Sequence, residues 1–498
     1  MNRRNFLRSS IAAGVGAALP ISHLYAAFDP QSDMPAVLVG RSSDGGETAL
    51  PMSSVKDLAA SLRGSVLLAG DSGYDEARRV LNRGIDKHPA LVVQPIGVTD
   101  IRRAVDFARD NDLLLAVKCG GHSYAGKSTV DGGLQIDLST FRHARVRPNG
   151  KTIDVAGGSL LGEIDREAMQ FGKATTAGTV SHTGVGGLTT GGGFGRLARR
   201  FGLALDNVVS VDVVTADGRL VHADAEQNED LYWGVRGGGG NFGIVTNFEF
   251  ALHPVEKQVI AGEVMFPVTR FREVLALYAD LIDSVPDELY LDCLASAPQD
   301  PSQAGAGFSL CWSGDPNRFE DVIAPIRKLG PVFDGLQSIA YVDEQRRWDD
   351  TDPRSESQYL KGGFVNELPP KLVQNLADGF AHDPGRSTMV YFQHSGGAIG
   401  RVPVDATAFA HRKSLANMMC ITAWPLDADG ASHIAWQRDY WNTLDPFTDG
   451  FYTNEISDEG ERVVNANYQG NYDRLVRVKN KYDPTNLFRL NANIKPRV

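Results

Sequence analysis

The chain has 498 residues, 42% hydrophobic and 22% charged, with a net charge of −11. That composition is ordinary for a globular protein with room for two or three domains and a large core. The negative balance excludes nucleic acid as the main partner, because phosphate binding needs a basic footprint.

Residues 1–27 read as a targeting segment. Arg3 and Arg4 precede Phe6 and Leu7, an apolar run covers 11–21, and the small residues Ala26 and Ala27 follow. The run is too short to span a bilayer, and its three parts are those of a signal peptide. The paired arginines resemble a twin-arginine signal; an ordinary secretory signal is the alternative. This reading expects the twin-arginine export machinery as a partner, a periplasmic or secreted mature protein, and no membrane contact once the signal is removed. No later segment approaches ~18 uninterrupted apolar residues.

Residues 90–95 read as a buried strand. A helix through Asn111 follows, with Thr99 as its expected N-cap and Ile101, Ala104, Val105 and Ala108 on one face. A second buried strand covers 113–117, and the unit ends in the turn Lys118-Cys-Gly-Gly-His122-Ser-Tyr124-Ala-Gly126. Residues 134–138 are a further strand. Asn149-Gly150 and Asp217-Gly218 each sit between strand-like runs and predict tight hairpins. Ser159 is the expected cap of a helix that Gly172 ends. Residues 244–252 alternate as a strand does. From about residue 254 mixed strands and helices run to about 450, and 467–496 read as helical, then extended.

Cysteine is sparse: Cys119, Cys293, Cys311 and Cys420. Cys293 and Cys311 fall on two strand-like runs, 289–297 and 305–313. A disulfide between them is open, and buried free thiols are the simpler reading.

Glycine is abundant, at 53 residues, and clustered. Gly238 to Gly243 fits G-x-G-x-x-G, but a dinucleotide fingerprint must open a helix, and here a strand follows. The turn at 119–126 says more. Successive N–H groups in a glycine-rich turn form a nest for an anion, and glycine lets the backbone approach a pyrophosphate. A second cluster, Gly184 to Gly187 with Gly191 to Gly195, would enclose an extended cofactor from the other side; tight turns between strands are the plainer explanation. His122 stands inside the first nest without a partner at metal-ligand spacing, so no metal is expected.

The run from Val117 to Gly126 resembles the pyrophosphate loop of berberine bridge enzyme-like oxidases, flavoproteins of the vanillyl-alcohol oxidase, PCMH-type FAD-binding class. Thr176 to Gly187, Asp206-Asn207, Leu231 to Gly238, Asn241 to Thr246, Asn471 to Leu475 and Tyr482 to Ile494 look like the same family. The resemblance implies an α+β fold. It has a two-subdomain FAD-binding domain (80–255), a substrate domain (256–455) whose antiparallel sheet, covered by helices, roofs the flavin, and a C-terminal segment (456–498) returning to the cofactor. It implies FAD bound covalently through His122. Many relatives add a bond from a cysteine where this chain has Val180, so a single link is expected. Gly120, Gly121, Ser123 and Tyr124 would cradle the pyrophosphate. Gly178, His182, Thr183, Gly186, Gly187, Gly238, Asn241 and Ile244 would line the cofactor, with Asn491 or Asn493 near the ring. At the Thr183 position relatives gate oxygen, and threonine in place of a bulky leucine favours an oxidase.

The proton acceptor is the family feature that departs from pattern. Relatives often carry Tyr-x-Asn-Tyr; this chain reads Tyr452-Thr-Asn454-Glu455. Glu455 near an apolar ring face would have a raised pKa and take an alcohol proton. A surface glutamate beside Asp458 and Glu459 is the alternative. Tyr452 and His394 are the other catalytic candidates, His394 also fitting a core position. The expected activity is an oxidase that takes hydride from an alcohol, sugar or amine-type small molecule and reduces O2 to H2O2. A dehydrogenase with another electron acceptor, or a flavin-binding protein without turnover, is the alternative.

Overall fold

Three sheets organise the chain. The computed structural model describes residues 36–351, 356–455 and 461–497. The signal reading and the acidic residues Asp458 and Glu459 lie outside them.

The first sheet orders Ser65–Leu67, Leu91–Gln94, Leu134–Asp137 and Leu115–Lys118, the last three parallel. Leu91, Val92 and Val93 have no exposed surface, as strands covered on both faces require. The helix Val98–Asp110 makes the crossover between parallel strands and buries Ile101, Ala104, Val105 and Ala108 against the sheet. Its N-cap is Gly97, not Thr99. The carboxylate of Asp100 instead accepts from the N–H groups of Arg63, Gly64 and Ile96, tying the helix start to the neighbouring chain.

The second sheet is antiparallel, in the order Leu220–Ala223, Val208–Val214, Ile244–Ala251, Thr152–Ala156, Ala144–Val146. Both expected hairpins are present, with Gly150 at φ +63° and Gly218 at φ +75° supplying the left-handed turn residue. The helix Leu161–Met169 packs here, but Ser159 does not cap it. The Ser159 hydroxyl bonds the main chain of His143, and Glu163 reaches back to the Leu160 N–H at 2.8 Å.

The third sheet is larger and antiparallel. Its central strands are Gln258–Pro267, Gly305–Trp312, Leu289–Ala297, Ser387–His394, Ala416–Pro425 and Glu356–Val365. Strand alternation gives it two different faces. Cys293, Phe308, Val390, Phe392, Met418 and Cys420 bury one face with helices such as Phe271–Leu281 and Ala431–Asn442. Leu294, Met389, Tyr391, Met419 and Ile421 occupy the other. The same alternation settles the cysteines. Cys293 pairs in register with Phe308, and Cys311 with Tyr290, so the two thiols stand on opposite faces. All four cysteines are free. Among the described residues no helix is long and apolar enough to cross a membrane.

Candidate functional site

A cavity of about 550 Å³ is walled by residues of the first two sheets' turns, by the C-terminal segment and by the second face of the large sheet. That volume is within the roughly 300–1,000 Å³ of small-molecule sites. The 119–124 turn follows the carboxyl end of Leu115–Lys118, the end at which parallel sheets present ligands. It interlocks with the turn at 181–187 backbone to backbone. A Cβ on Gly120 would lie 2.3 Å from the Gly184 nitrogen, and one on Gly157 would lie 1.9 Å from the Val245 oxygen. Gly121 holds φ +72°, which side-chain-bearing residues rarely adopt. These close approaches leave the walls with exposed main chain and no side-chain bulk. Such a surface suits an elongated, phosphate-containing dinucleotide, and the residues present fit FAD.

His122 lines this cavity. Its Nε2 lies 2.8 Å from Nδ1 of His182, and its Nδ1 lies 3.4 Å from the Thr183 hydroxyl. Cys119 also lines the cavity, but its Sγ lies 3.5 Å from the Ser159 carbonyl, and burial pushes its thiol up to about 11. It is therefore no thiolate at neutral pH. Val180 lines the cavity as a hydrocarbon.

The large sheet supplies the opposite wall. Tyr391, Met389, Met419, Ile421 and Trp348 give it an aromatic and apolar part, beside the polar Ser296, Glu356, Gln358, Ser387 and Thr388. Glu455 also lines the cavity. Its Oε1 accepts from Gln393 Nε2 at 3.1 Å and its Oε2 from Asn417 Nδ2 at 2.7 Å. Burial pushes this carboxyl up to about 7, against the two amide hydrogen bonds that pull it down. Beside it, Tyr391 donates to Asp292, whose carboxyl burial raises to about 6.

Of the residues expected from sequence, Gly120, Gly121, His122, Ser123, Tyr124, Gly178, His182, Thr183, Gly186, Gly187, Asn241, Ile244 and Asn491 line the cavity. Gly238 and Asn493 do not. A Cβ on Gly238 would meet the Gly234 carbonyl at 2.5 Å, so its need for glycine is packing. His394 is a correction. In Ser387–His394 the side chains of Tyr391 and Gln393 face the cavity, and period two turns His394 to the helix side. There it is fully buried, accepting from the Leu291 N–H and donating to the Ile282 carbonyl, and burial holds it well below its usual pKa. Tyr452 reaches the cavity, but its hydroxyl oxygen already accepts from Gly193 N at 2.7 Å and Asn454 Nδ2 at 2.9 Å. Burial raises it far above an ordinary phenol. It braces the Gly191–Gly195 run: a Cβ on Gly192 would lie 2.9 Å from the Tyr452 ring, and one on Gly191 would lie 2.2 Å from Asn454. That half of the second glycine cluster accommodates side chains, while Gly184, Gly186 and Gly187 face the cavity. Gln393, Asn417 and Trp348 were not anticipated; strand alternation would have placed Gln393 beside Tyr391.

Comparison with known proteins agrees with this geometry. Residues 89–224 match the FAD binding domain model, and residues 436–495 the model for berberine and berberine-like proteins. An FAD-linked oxidoreductase of Dictyostelium discoideum is 33% identical over 449 residues, 89% of this chain and 97% of that protein. A xylooligosaccharide oxidase of Thermothelomyces thermophilus is 31% identical, covering 82% of this chain and 87% of its own. The crystal structure of 6-hydroxy-D-nicotine oxidase from Arthrobacter nicotinovorans superposes with TM-score 0.80 at 27% identity, covering 88% of this chain and 99% of that one. A cavity built from interlocking glycine turns, a fold shared with flavin oxidases and an identity of 33% along nearly the whole chain lead to one conclusion: the protein is an FAD-linked oxidoreductase enzyme and belongs to the berberine bridge enzyme-like family.

Proposed function

We propose that the protein is an exported oxidase that removes hydride from a small alcohol, sugar or amine and passes the electrons to O2, forming H2O2. The observation that carries this reading is Glu455: a cavity-lining carboxyl that burial pushes up to about 7, held by two amides. Bound FAD supplies the two-electron acceptor. Glu455 takes the substrate's O–H or N–H proton as the C–H hydride departs. Asn417 and Gln393 fix the carboxylate's orientation, and Tyr391 and Trp348 shape the space beside it. Thr183, small and beside His122, leaves room for oxygen. The test is reduction of the purified enzyme with a panel of alcohols, sugars and amines, followed by mixing with air-saturated buffer. Rapid reoxidation with stoichiometric peroxide is expected. Slow reoxidation that a dye accelerates would instead identify a dehydrogenase.

His122 holds the flavin covalently, through one bond, since Val180 offers no nucleophile. Acid precipitation of wild type is expected to leave the flavin in the pellet, and proteolysis to leave it on one peptide, that containing His122. The His122→Ala variant is expected to release all of its flavin to the supernatant. Free FAD from wild type would rule the linkage out.

A covalent cofactor suits a protein exported already folded, since it cannot be reloaded from the cytosol. The paired Arg3 and Arg4 support that route. Replacing both with lysine is expected to strand uncleaved precursor in the cytoplasmic fraction; normal export of that variant would contradict the assignment.

A further inference from the structure

We infer that Asp165 is protonated in the folded protein and that, as the neutral acid, it pairs with Gln345 to position the 178–183 turn of the cofactor cavity. The two side chains meet beside Gly178, each 1% exposed. Asp165 lies on the helix Leu161–Met169, and Gln345 follows the short helix Tyr341–Glu344. Gln345 Nε2 is 3.0 Å from the Gly178 carbonyl and 3.2 Å from Asp165 Oδ2. A carbonyl oxygen only accepts, so the amide nitrogen is the atom that faces it. Both hydrogens of the amide are thereby used. The other oxygens of the pair, Asp165 Oδ1 and Gln345 Oε1, are buried and have no hydrogen-bond partner.

Two acceptors left open on a contacting acid and amide lack a hydrogen between them, and buried polar groups are almost always paired. A proton on Oδ1 supplies the donor that Oε1 lacks, and acid and amide then close a ring of two hydrogen bonds. An ionised Asp165 would instead set a buried charge and a second acceptor against the amide oxygen. Burial acts in the same direction, pushing the carboxyl up to about 7 against the pull of the Gln345 bond. Tyr341 is the titratable group facing Asp165, and burial holds its phenol well above the ordinary range, so it stays neutral. Its hydroxyl makes no hydrogen bond. On the other elements packed against this helix, Lys173 is turned to the Gly150 carbonyl, Asp154 to Arg147, and Glu344 to Arg196 and Arg347. Arg145 and Asp343 are exposed. On the helix itself Glu163 pairs with Arg142, Glu167 accepts from the Val146 N–H, and Arg166 is exposed.

The pair ties two walls of the cavity together. Gly178, Thr179, Val180, His182 and Thr183 line one side, and Trp348, in the same segment as Gln345, lines the other. Asp349 makes a second tie, its carboxylate accepting from the Ser181 N–H at 2.8 Å and hydroxyl at 2.7 Å. Asp165 acts through Gln345, as a positioning residue. Opening the turn exposes Asp165 to water and returns its carboxyl toward its ordinary 3.8, so between 3.8 and about 7 opening releases a proton. The opening constant therefore rises with pH through that interval and levels above it.

Hydrogen exchange reads such local openings. The Gly162 and Leu161 N–H groups, bonded to the Ser181 and Thr183 carbonyls at 2.8 and 3.0 Å, are the probes, with the amides of 178–183. The experiment compares full-length wild type, Asp165→Asn and Asp165→Ala, each with flavin bound, after correction for intrinsic exchange. In wild type the opening constant is expected to rise about ten-fold per pH unit between about pH 5 and 7, the slope of a single released proton. Asp165→Asn keeps a donor for Gln345 Oε1 and an acceptor for Nε2; it is expected to stay closed with no slope. Asp165→Ala is expected to be open at acid pH as well. His122 and His182 are the nearby groups whose charge changes near neutrality. Asp165→Asn leaves both in place, so a slope that survives in it belongs to them and overturns the proposal. A flat wild type, or an Asp165→Asn as open as Asp165→Ala, overturns it too. Should Asp165→Ala fail to fold, the slopes of wild type and Asp165→Asn decide alone. A bridging water could satisfy both oxygens with Asp165 ionised. The infrared difference between wild type and Asp165→Asn at about pH 5 would then lack the carbonyl band of a protonated acid, and that result also overturns the proposal. None of these readouts involves turnover, so they stand or fall apart from the oxidase reading.

Discussion

Glu455→Gln is expected to lower kcat/KM by about 10²–10⁴-fold, the usual contribution of a positioned proton acceptor, without loss of flavin. The substitution keeps shape, removes basicity and leaves one acceptor oxygen for the two amide donors. Gln393 and Asn417 both donate to this side chain, so they favour the carboxylate. Burial disfavours it more, and the balance is a group titrating near 7. A base works when deprotonated, so wild-type kcat/KM is expected to rise with pH up to about 7 and then level. In the variant that ionisation vanishes from the profile. An unchanged limb near 7 in Glu455→Gln would assign the proton to another group, with Tyr391 and its Asp292 partner next in line.

The same shift has a consequence for stability, and its sign is opposite to that of activity. Burial raises Glu455 in the folded state from its ordinary 4.5 to about 7. Between those values the folded protein holds a proton that the unfolded chain releases, so this group's contribution to stability falls as pH rises through the interval. Above pH 7 the buried charge is a cost that Glu455→Gln removes. The variant is expected to melt at or above the wild-type temperature at pH 8, while turning over far more slowly. Enhanced stability with lost turnover is the signature of a functional carboxylate held in an unfavourable place.

What the sequence revealed and what it hid divide along the range of the interactions. The strand at Leu91–Gln94 and the two hairpins were readable because buried β-branched runs and Asn-Gly or Asp-Gly turns act within a few residues. The glycine turns were readable as a cofactor wall because close backbone approach leaves glycine as its mark. Ser159 and Thr99 were misjudged as caps because each position had a local competitor, Glu163 and Asp100, already bonded to the helix entry. His394 was left open between cavity and core for want of a register: one position along a strand moves a side chain from one to the other. The Glu455 cluster joins Gln393, Asn417 and Glu455 from two strands and a later turn, and the contact of His182 with the Asp349 carbonyl joins residues 167 apart. Neither leaves a local pattern.

The C-terminal segment illustrates the same point with a larger energetic stake. Lys479 and Asp483 form an ion pair at 2.6 Å with no exposed side-chain surface on either partner. Lys479 also donates to the carbonyls of Asn241 and Phe488, and Asp483 accepts from the N–H groups of Leu487 and Phe488. Asn241 completes the knot, donating to the Ala492 carbonyl and accepting from the Ile494 N–H. The cavity wall formed by Gly239, Gly240 and Asn241 is thereby locked to Leu490, Asn491 and Ala492. Even with its partner present, burial brings Lys479 down to about 8. Asp483→Ala leaves that cation without its counter-charge and two N–H groups without an acceptor, and is expected to cost about 3–5 kcal/mol. Urea unfolding measures that loss, and flavin content per chain should fall with it, because the wall comes apart at the same place. Replacing both charges, as Lys479→Met with Asp483→Leu, is expected to recover stability toward wild type, since removing a buried pair is far milder than breaking one. Flavin content in the double variant should nonetheless stay low: no apolar side chain replaces the bonds to Asn241 and Phe488 that set the wall's position. Equal losses in the single and double variants would mean that the knot acts through its main-chain hydrogen bonds alone, and that the charge pair contributes nothing.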